Sequence, residues 1–470
     1  MSKLRLAFYG DDFTGSTDAL EQLTLAGVRA ALFIEPPTPR QLARFKNLQA
    51  VGVAGMTRSL APDALRRELW PALKTLKALG ARHVHYKVCS TFDSSPTIGS
   101  IGCVMEVATK IFPAPFIPLL VAAPALGRYT VFGQHFARYG IGSNGEIHRL
   151  DRHPSISKHP ITPMTEADLR VHLARQTKKK IALFDILQLA QPAAAARAAL
   201  KQILADKPGV VLFDALTVGQ LQLIGELIDG HASTKRPLFS VGSSGIETAL
   251  AAHLKFRSRQ REKALNKKSE INPGFRAAAP AKLVLVASGS CSPVTAGQIA
   301  WALKHGFAEV PLDTATLAAE KNIERALEQA TEAAIKFITA GRSVILHTSR
   351  GGNDPRLAAT AKAFKQRGLE AAEAKTVGAI LFGSALGKVM TLVLEQTKVR
   401  RLCIAGGDTS SYAARELRIE ALEMIAPLTP GAPLCRARAP GSPVDGLEVV
   451  FKGGQVGADN YFQTVLKGKL

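Results

Sequence analysis

Two short acidic turns at opposite ends of the chain most constrain what it can fold into. They are Gly10-Asp11-Asp12-Phe13-Thr14-Gly15 and Gly406-Gly407-Asp408-Thr409-Ser410-Ser411. Each follows an apolar run that reads as a buried strand, Leu4 to Tyr9 and Arg401 to Ala405. Each precedes a stretch with helical periodicity. In an open parallel sheet, ligands bind in the crevice beyond the carboxyl ends of the strands. The chain therefore carries two such crevices, which is the layout of an enzyme with two substrates.

The order of the remaining elements supports an α/β fold. In the first half, strands are predicted at 28–34, 48–54, 83–88, 117–122, 180–184, 210–213 and 238–241. Apolar helical segments such as 64–79 and 218–228 separate several of them. Alternation of this kind implies a mostly parallel sheet covered by helices on both faces. A polar, basic stretch ending in Asn272-Pro273-Gly274 then breaks the rhythm. It restarts with predicted strands at 283–287, 343–347, 401–405 and 447–451, and with helices at 295–304, 323–339, 378–396 and 411–424. The expected organisation is a first domain over 1–255, a basic linker over 256–281 and a second domain over 282–470. The active site is expected in the cleft between the domains. An alanine-rich run, Ala193 to Ala199, is read as helix.

Composition excludes several classes. The five cysteines are an odd number, scattered and without a Cys-x-x-Cys pair. That argues for free thiols in a reducing compartment and against a zinc site. No apolar run is read as approaching the roughly 20 residues of a membrane helix. The amino terminus runs straight into a strand with no secretory segment, so a cytoplasmic location is expected. The net charge is +22, from 60 Lys and Arg against 38 Asp and Glu. Such an excess attracts anions of any kind. Nucleic acid is disfavoured, because aromatic residues are only 6% of the chain and no recognition motif is present. The densest basic run, Lys255 to Lys268, falls in the expected linker and reads as a solvated face.

The chemistry-bearing residues sit in loops after predicted strands. Asp11 and Asp12 can accept hydrogen bonds from a hydroxyl-bearing ligand and take up a proton; one of them could equally cap the following helix. Thr57-Arg58-Ser59, the loop from Lys87 to Ser95 with Asp93, and Pro124 to Arg128 add polar groups in the same half. Arginine and lysine from separate loops suit a carboxylate, so a small polyhydroxy acid fits this half. In the second half, Ser288-Gly289-Ser290-Cys291-Ser292 precedes Pro293 and a helix. His347-Thr348-Ser349-Arg350-Gly351-Gly352, Gly406 to Thr409, and Lys452-Gly453-Gly454-Gln455-Val456-Gly457 have the same character. Small residues at a helix start let a phosphate approach backbone N–H groups, and four such loops favour a nucleotide. Two familiar motifs fail. The stretch Gly383 to Val389 is one residue short of a P-loop, lacks its Ser/Thr and lies within a predicted helix. No Gly-x-Gly-x-x-Gly follows a strand. His83 and His85 would face the same way on a strand, but no third metal ligand accompanies them.

Taken in order, these blocks resemble the four-carbon acid sugar kinase family, which includes 3-oxo-tetronate, threonate and erythronate kinases. The similarity runs through Gly10 to Gly15, Thr57-Arg58-Ser59, Tyr86-Lys87 with Asp93-Ser94, and Pro124 with Gly127 to Thr130. It continues through His159 to Met164, Ser288-Gly289-Ser290, Gly406 to Ser410, Pro430 to Pro433 and Lys452 to Gly457. The resemblance implies a sugar-acid domain followed by an ATP domain, with transfer of the γ-phosphoryl group between them. It implies that Asp11, Asp12, Arg58, Lys87, Asp93 and Arg128 surround the sugar acid. It implies that Ser290, Ser349, Gly406, Gly407, Asp408, Thr409 and Gly453 surround ATP, with Mg²⁺ bridging phosphate oxygens. Asp12 is then expected to orient or deprotonate the attacking hydroxyl. The chain departs from the family pattern at Asp408, where many members have glutamate, at Lys452-Gly453-Gly454-Gln455, and across Gln134 to Ser157, which is expected to shape the sugar pocket.

The reading is a cytoplasmic ATP-dependent kinase of a small sugar acid, with no nucleic-acid or membrane partner and a homo-oligomer left open. An NAD(P)-dependent oxidoreductase on a similar acid is the enzymatic alternative, disfavoured by the missing dinucleotide fingerprint. A basic, non-catalytic anion- or nucleic-acid-binding protein is the third reading. Steeply salt-dependent DNA binding without nucleotide turnover would single it out.

Overall fold

The strands of this chain are short and apolar at nearly every position, as strands buried on both faces must be. Strand β1, Leu6–Gly10, is buried throughout. It is flanked in a parallel sheet by β3 (Ala50–Ala54) and β4 (His83–Lys87), with Phe8 opposite Gly52 and His85. Gly52 makes room for its neighbour: a Cβ there would lie 2.1 Å from Cζ of Phe8. A computed structural model describes residues 4–139, 145–158, 162–254 and 278–468. The chain divides into two units, Met1–Pro273 and Gly274–Leu470.

In the first unit the parallel sheet is completed by β2 (Ala30–Phe33), β5 (Ile117–Leu120), β9 (Ile181–Phe184), β10 (Val210–Phe213) and β11 (Leu238–Gly242). The order is β2-β3-β1-β4-β11-β5-β10-β9. One face packs on helices Pro62–Ala78 and Ile101–Ile111 through Ala7, Tyr9, Val84, Tyr86, Leu69 and Val104. The other carries helices Phe13–Leu25, Val218–Asp229 and Gly245–His253. A separate antiparallel sheet is built from β6 (Arg128–Val131), β7 (Gln134–Arg138) and β8 (Ile147–Arg149). The buried carboxylate of Asp214, just past β10, pins its hairpin by accepting from the backbone N–H groups of Phe132 and Gly133.

In the second unit β12 (Leu285–Ser288), β13 (Ala308–Pro311), β14 (Val344–His347), β15 (Arg401–Ala405) and β18 (Glu448–Lys452) are parallel. The hairpin of β16 (Ala421–Thr429) and β17 (Ala432–Arg438) adds antiparallel to β18. The order is β13-β14-β12-β15-β18-β17-β16. The buried Arg401 guanidinium ties β15 to Glu448 and to the carbonyls of Val465, Leu466 and Ala279.

Most predicted strands are found within a residue or two of the expected ends, and three expectations need correction. The helix expected over 411–424 is a helix over Gly407–Glu416 followed by strand β16. Arg418 takes the left-handed conformation (φ 53°) between them, and the helical spacing of Ala414, Leu417, Ala421 and Met424 across that point hides the change of period. The small sheet β6–β8, strand β13 and the β16–β17 hairpin were not expected. Finally, Ala371–Gln396 is long and apolar enough to cross a membrane by length and composition. Its close packing is that of a core helix: Cβ atoms at Gly383 and Gly387 would lie 2.7 Å from the side chains of Tyr412 and Glu416. That packing is what the P-loop-like glycines serve. The basic linker expected over 256–281 falls mostly on residues 255–277, outside the described residues.

Helix 218–229 crosses helix 245–253 at Gly225, where a Cβ would lie 2.1 Å from the carbonyl oxygen of Ala249. Backbone cannot yield as a flexible side chain can. Gly225→Ala should therefore cost about 1–3 kcal/mol, the range for overpacking, read as a lower urea midpoint at unchanged slope.

Candidate functional site

In the first unit the chain leaves β1 for β2 and β3 on one side, then returns to lay β4 on the other. The carboxyl end of β1 is thus a topological switch point, where the loops after β1 and β4 diverge and leave a crevice. Asp11 and Asp12 lie there, with the Asp11 N–H held by the Lys87 carbonyl at 2.8 Å. Arg58 reaches in from the turn after β3. Its Nε and Nη2 donate to the two oxygens of Asp11 at 3.0 and 2.7 Å, and its Nη1 donates to Asp12 Oδ2 at 2.8 Å.

The two aspartates differ in role. Asp11 is almost wholly buried; burial raises its carboxyl pKa, Arg58 opposes that rise, and Asp12 adds to it. Asp12 caps helix Phe13–Leu25, its Oδ1 accepting from the Gly15 N–H at 2.7 Å and its Oδ2 from Thr14 Oγ1 at 2.9 Å. It is also the more accessible carboxylate. Lys87 ends β4 with its ammonium buried, donating to the Val88 carbonyl at 3.0 Å and 3.5 Å from Asp18 Oδ2. Burial alone would lower its pKa, but Asp18 and Asp11 outweigh it and hold the ammonium charged. A Cβ at Gly15 would lie 2.5 Å from Asp12 Oδ1 and 3.1 Å from Lys87 Nζ. The bare glycine leaves space against both groups.

The loop after β4 brings Asp93, which accepts from Thr91 Oγ1 at 2.8 Å. Phe92 in that loop has φ 59°, a strained conformation of the kind that gathers at functional loops. His135 of β7 braces the same loop through Nε2 and the Ser90 carbonyl, 2.9 Å apart. Arg128 is nearly buried, and its Nη1 is spent on the carbonyls of Leu126, Gly127 and Arg138. Its geometry is that of a brace for the small sheet, with Asp93 and Cys89 near enough to act on its charge. His83 is engaged by Asp229 at 2.8 Å, and His85 Nδ1 by Ser240. Among the described residues no cluster of His, Cys, Asp and Glu could hold a metal ion. The motif residues His159, Pro160 and Ile161 lie outside the described residues.

The second unit repeats the arrangement. From β12 the chain goes outward to β13 and β14, then crosses back to β15, so the switch point lies between β12 and β15. There the Gly289 N–H donates to the Ala405 carbonyl at 3.1 Å. A Cβ at Gly289 would lie 2.2 Å from Thr409 Oγ1, and one at Gly454 would lie 2.8 Å from Ser290 Oγ. Ser349 lies 3.5 Å from Cys291 Sγ. Ser290, Ser349, Gly406, Thr409 and the turn of Gly453 thus converge from four loops. Gly407 and Asp408 open helix Gly407–Glu416, with Asp408 exposed in its first turn. Helix Pro293–Lys304 starts beside it, capped by Ser292 with Pro293 at its first position. Two helix N-termini at one crevice offer unpaired N–H groups and positive dipole ends to an anion.

Sequence reasoning named Lys452, His347 and Arg350 within their loops without giving them a role, and missed Thr295 and Glu309. Lys452 is fully buried, donating to Thr295 Oγ1 at 3.0 Å, and burial pulls its pKa down to about 8. Thr295 Oγ1 in turn donates to the Gly454 carbonyl at 2.9 Å. His347 and Arg350 are both drawn onto Glu309, which fixes the Ser349 loop from beneath. In the first unit, Asp18 and Glu247 were missed. The sequence held one signal for the latter: Gly242-Ser243-Ser244-Gly245 follows a predicted strand and opens a helix, like the loops that were read.

Comparison with known proteins identifies the two halves of the chain. Residues 6–250 match the family model for a sugar-binding N-terminal domain, and 285–462 that for a nucleotide-binding C-terminal domain. A 3-oxo-isoapionate kinase of Paraburkholderia graminis is 42% identical over 99% of this chain and 95% of its own. A 3-oxo-tetronate kinase of Pseudomonas savastanoi pv. phaseolicola is 28% identical over 98% and 96%. A solved structure from Salmonella typhimurium LT2 superposes with a TM-score of 0.73 at 23% identity over 98% of both chains. That likeness speaks for the fold alone.

Two substitutions probe the two clusters. Arg58→Met strands a buried carboxylate, so unfolding should become easier by roughly 3–5 kcal/mol, measured by denaturant titration. Gly406 has φ 124°, with a Cβ position 2.8 Å from Thr409 Oγ1. Gly406→Ala should weaken nucleotide binding about tenfold or more, from about 1–3 kcal/mol of backbone strain, read by calorimetric titration.

Proposed function

The chain belongs to the four-carbon acid sugar kinase family, and on that premise we propose that it transfers the γ-phosphoryl group of ATP to a hydroxyl of a 3-oxo sugar acid. The observation that carries the reading is the pair of switch-point crevices, one lined by Asp11, Asp12, Arg58 and Lys87 and the other by glycine turns at two helix starts. The identity to the 3-oxo-isoapionate kinase, 42% against 28% for a 3-oxo-tetronate kinase, favours an acid of the first kind. Kinase chemistry also favours a cytoplasmic location, where ATP is made.

The second unit suits a triphosphate. Ser290, Ser349, Thr409 and the N–H groups of the Gly406 and Gly453 turns would hold its oxygens, and glycine at 454 keeps a side chain out of that cradle. Mg²⁺ bound with ATP neutralises phosphate charge. In the first unit, Asp12 accepts the proton of the attacking hydroxyl. Its Oδ2 is already oriented by Thr14 and Arg58, so it offers a fixed acceptor at the mouth of the site. Asp11 is the buried anchor that fixes Arg58. Lys87 meets the substrate carboxylate, and Asp93 and Arg128 shape the wall against which the acid rests.

The test is ADP release from MgATP across a panel of sugar acids that includes 3-oxo-isoapionate and 3-oxo-tetronate. Stimulation by one 3-oxo acid, strongest with 3-oxo-isoapionate, is the expected result; silence across the panel would sink the proposal. With the active acid, Asp12→Asn should lower kcat about 10²–10⁴-fold, the usual span for a general base. Near-normal turnover in that variant would remove Asp12 from the proton transfer.

A further inference from the structure

Glu247, in the first turn of helix Gly245–His253, is completely buried, and neither carboxyl oxygen has a hydrogen-bond partner among the described residues. His85 Nε2 stands 3.6 Å from its Oε1 and is likewise unpartnered. Asp18 is a third buried group with an unpartnered atom, its Oδ1, while its Oδ2 lies 3.5 Å from Lys87 Nζ. Three orphaned polar groups therefore gather beneath one lysine. Native interiors rarely leave such atoms unpaired, and each one calls for an explanation.

The surroundings decide which of these groups carries charge. From β4, Lys87 and His85 face this cluster; from helix Phe13–Leu25, Asp18 does, with Glu21 buried one turn further along. Helix Val218–Asp229 packs against the helix of Glu247, and its Asp229 is spent on His83, Arg82 and His253. A carboxylate without donors is far costlier to bury than a carboxylic acid. Burial accordingly pushes the Glu247 carboxyl from 4.5 up to about 8, with Lys87 opposing. Burial, with Lys87 second, pulls His85 down to about 3. At neutral pH both are uncharged, and the Lys87 ammonium is paired with Asp18 Oδ2 at 3.5 Å.

An ammonium has three donors. One is given to the Val88 carbonyl and one leans toward Asp18, which leaves a third. The space left by Gly15 opens directly against Lys87 Nζ and Asp12 Oδ1. We propose that Glu247 is a positioning residue that, by remaining uncharged, leaves the charge of Lys87 available to the carboxylate of the substrate. The inference rests on reading the first unit as the sugar-acid site. Ionised, Glu247 would claim Lys87 for itself and set a second negative charge below an anionic ligand.

The experiment compares wild type with Glu247→Gln, which keeps the shape and cannot ionise, by following KM for the sugar acid against pH. In wild type, KM should climb above pH about 8, approaching tenfold one unit beyond the titration point, with kcat changing less. In Glu247→Gln the KM profile should stay flat through that range. An alkaline rise of the same size in both proteins overturns the proposal. A second arm needs no activity. The folded chain holds a proton that unfolded Glu247 releases near 4.5, so wild-type stability falls as pH rises from there to about 8. The sign follows from proton linkage: stability drops with pH wherever the folded state binds more protons. Urea denaturation should therefore show Glu247→Gln gaining on wild type across that window, and a gap independent of pH overturns the uncharged state. Should the stability arm behave as expected while no sugar acid drives ADP release, the kinase reading of the site has failed and the substrate half of the proposal falls with it.

Discussion

One guanidinium organises the first unit's site. Arg58 reaches from the turn after β3 to grip Asp11 with two donors and Asp12 with a third, so two loops that sequence alone leaves independent are locked together. Adjacent aspartates at a strand end would repel each other and splay. Placing a delocalised, permanently charged fork between them removes that repulsion and fixes both in one geometry, which a lysine's point charge could not do. The fork is possible because β1 lies between β3 and β4. Parallel pairing in register brings Gly10, Ala54 and Lys87 level with one another, and the loops that follow begin at the same height.

The second unit reaches a comparable end by other means. Its crevice is held by close backbone approach instead of ion pairs: Gly289 and Gly406 against Thr409, Gly454 against Ser290. Small residues there let N–H groups of two helix starts face outward, and an anion can come within hydrogen-bond distance of them. The supporting charges lie below. Glu309 draws in His347 and Arg350, and Lys452 holds Thr295. On the proposed reading, a nucleotide site is assembled here without a P-loop, with backbone donors from several loops in place of one long glycine-rich turn.

The parallel sheets were legible because strands buried on both faces leave continuous apolar runs, and the turns after them carry the polar residues. Hence β10 and β15 were found with their ends as expected, and the loops holding Asp11, Arg58, Lys87, Ser290 and Gly406 were read as lying at strand ends. The antiparallel pieces were not. In β16 alternate residues are only partly buried, and the spacing of Ala414, Leu417, Ala421 and Met424 looks like continued helix. The site residues that escaped notice share a different cause. Asp18, Glu247 and Thr295 act from within helices, and their meaning comes from what they face in the fold. Nothing in the spacing of one chain segment announces that Glu247 lies near Lys87; only the packing of helix 245–253 onto β4 and β11 does.

That difference bears on how an anionic substrate is held. A pocket for a sugar acid needs acceptors for hydroxyls and positive charge for a carboxylate, and the two demands conflict in a small space. Asp11 and Asp12 would cancel any cation placed beside them, and Arg58 is largely consumed in that cancellation. On the proposed reading, charge for the ligand comes from a second cation, Lys87, at the same switch point. Burying it lowers its own affinity for a proton, so at least one carboxylate must stand near; Asp18 does, at 3.5 Å rather than in tight contact. Asp11 also helps to hold the ammonium charged, but it is itself gripped by Arg58; a further ionised neighbour would compete with the ligand for Lys87. A carboxyl kept dry and without donors fills the remaining volume, stays protonated and adds no charge. On the proposed reading of the site, the solvent-free burial of Glu247 is what reconciles a cluster of acids with an acidic ligand.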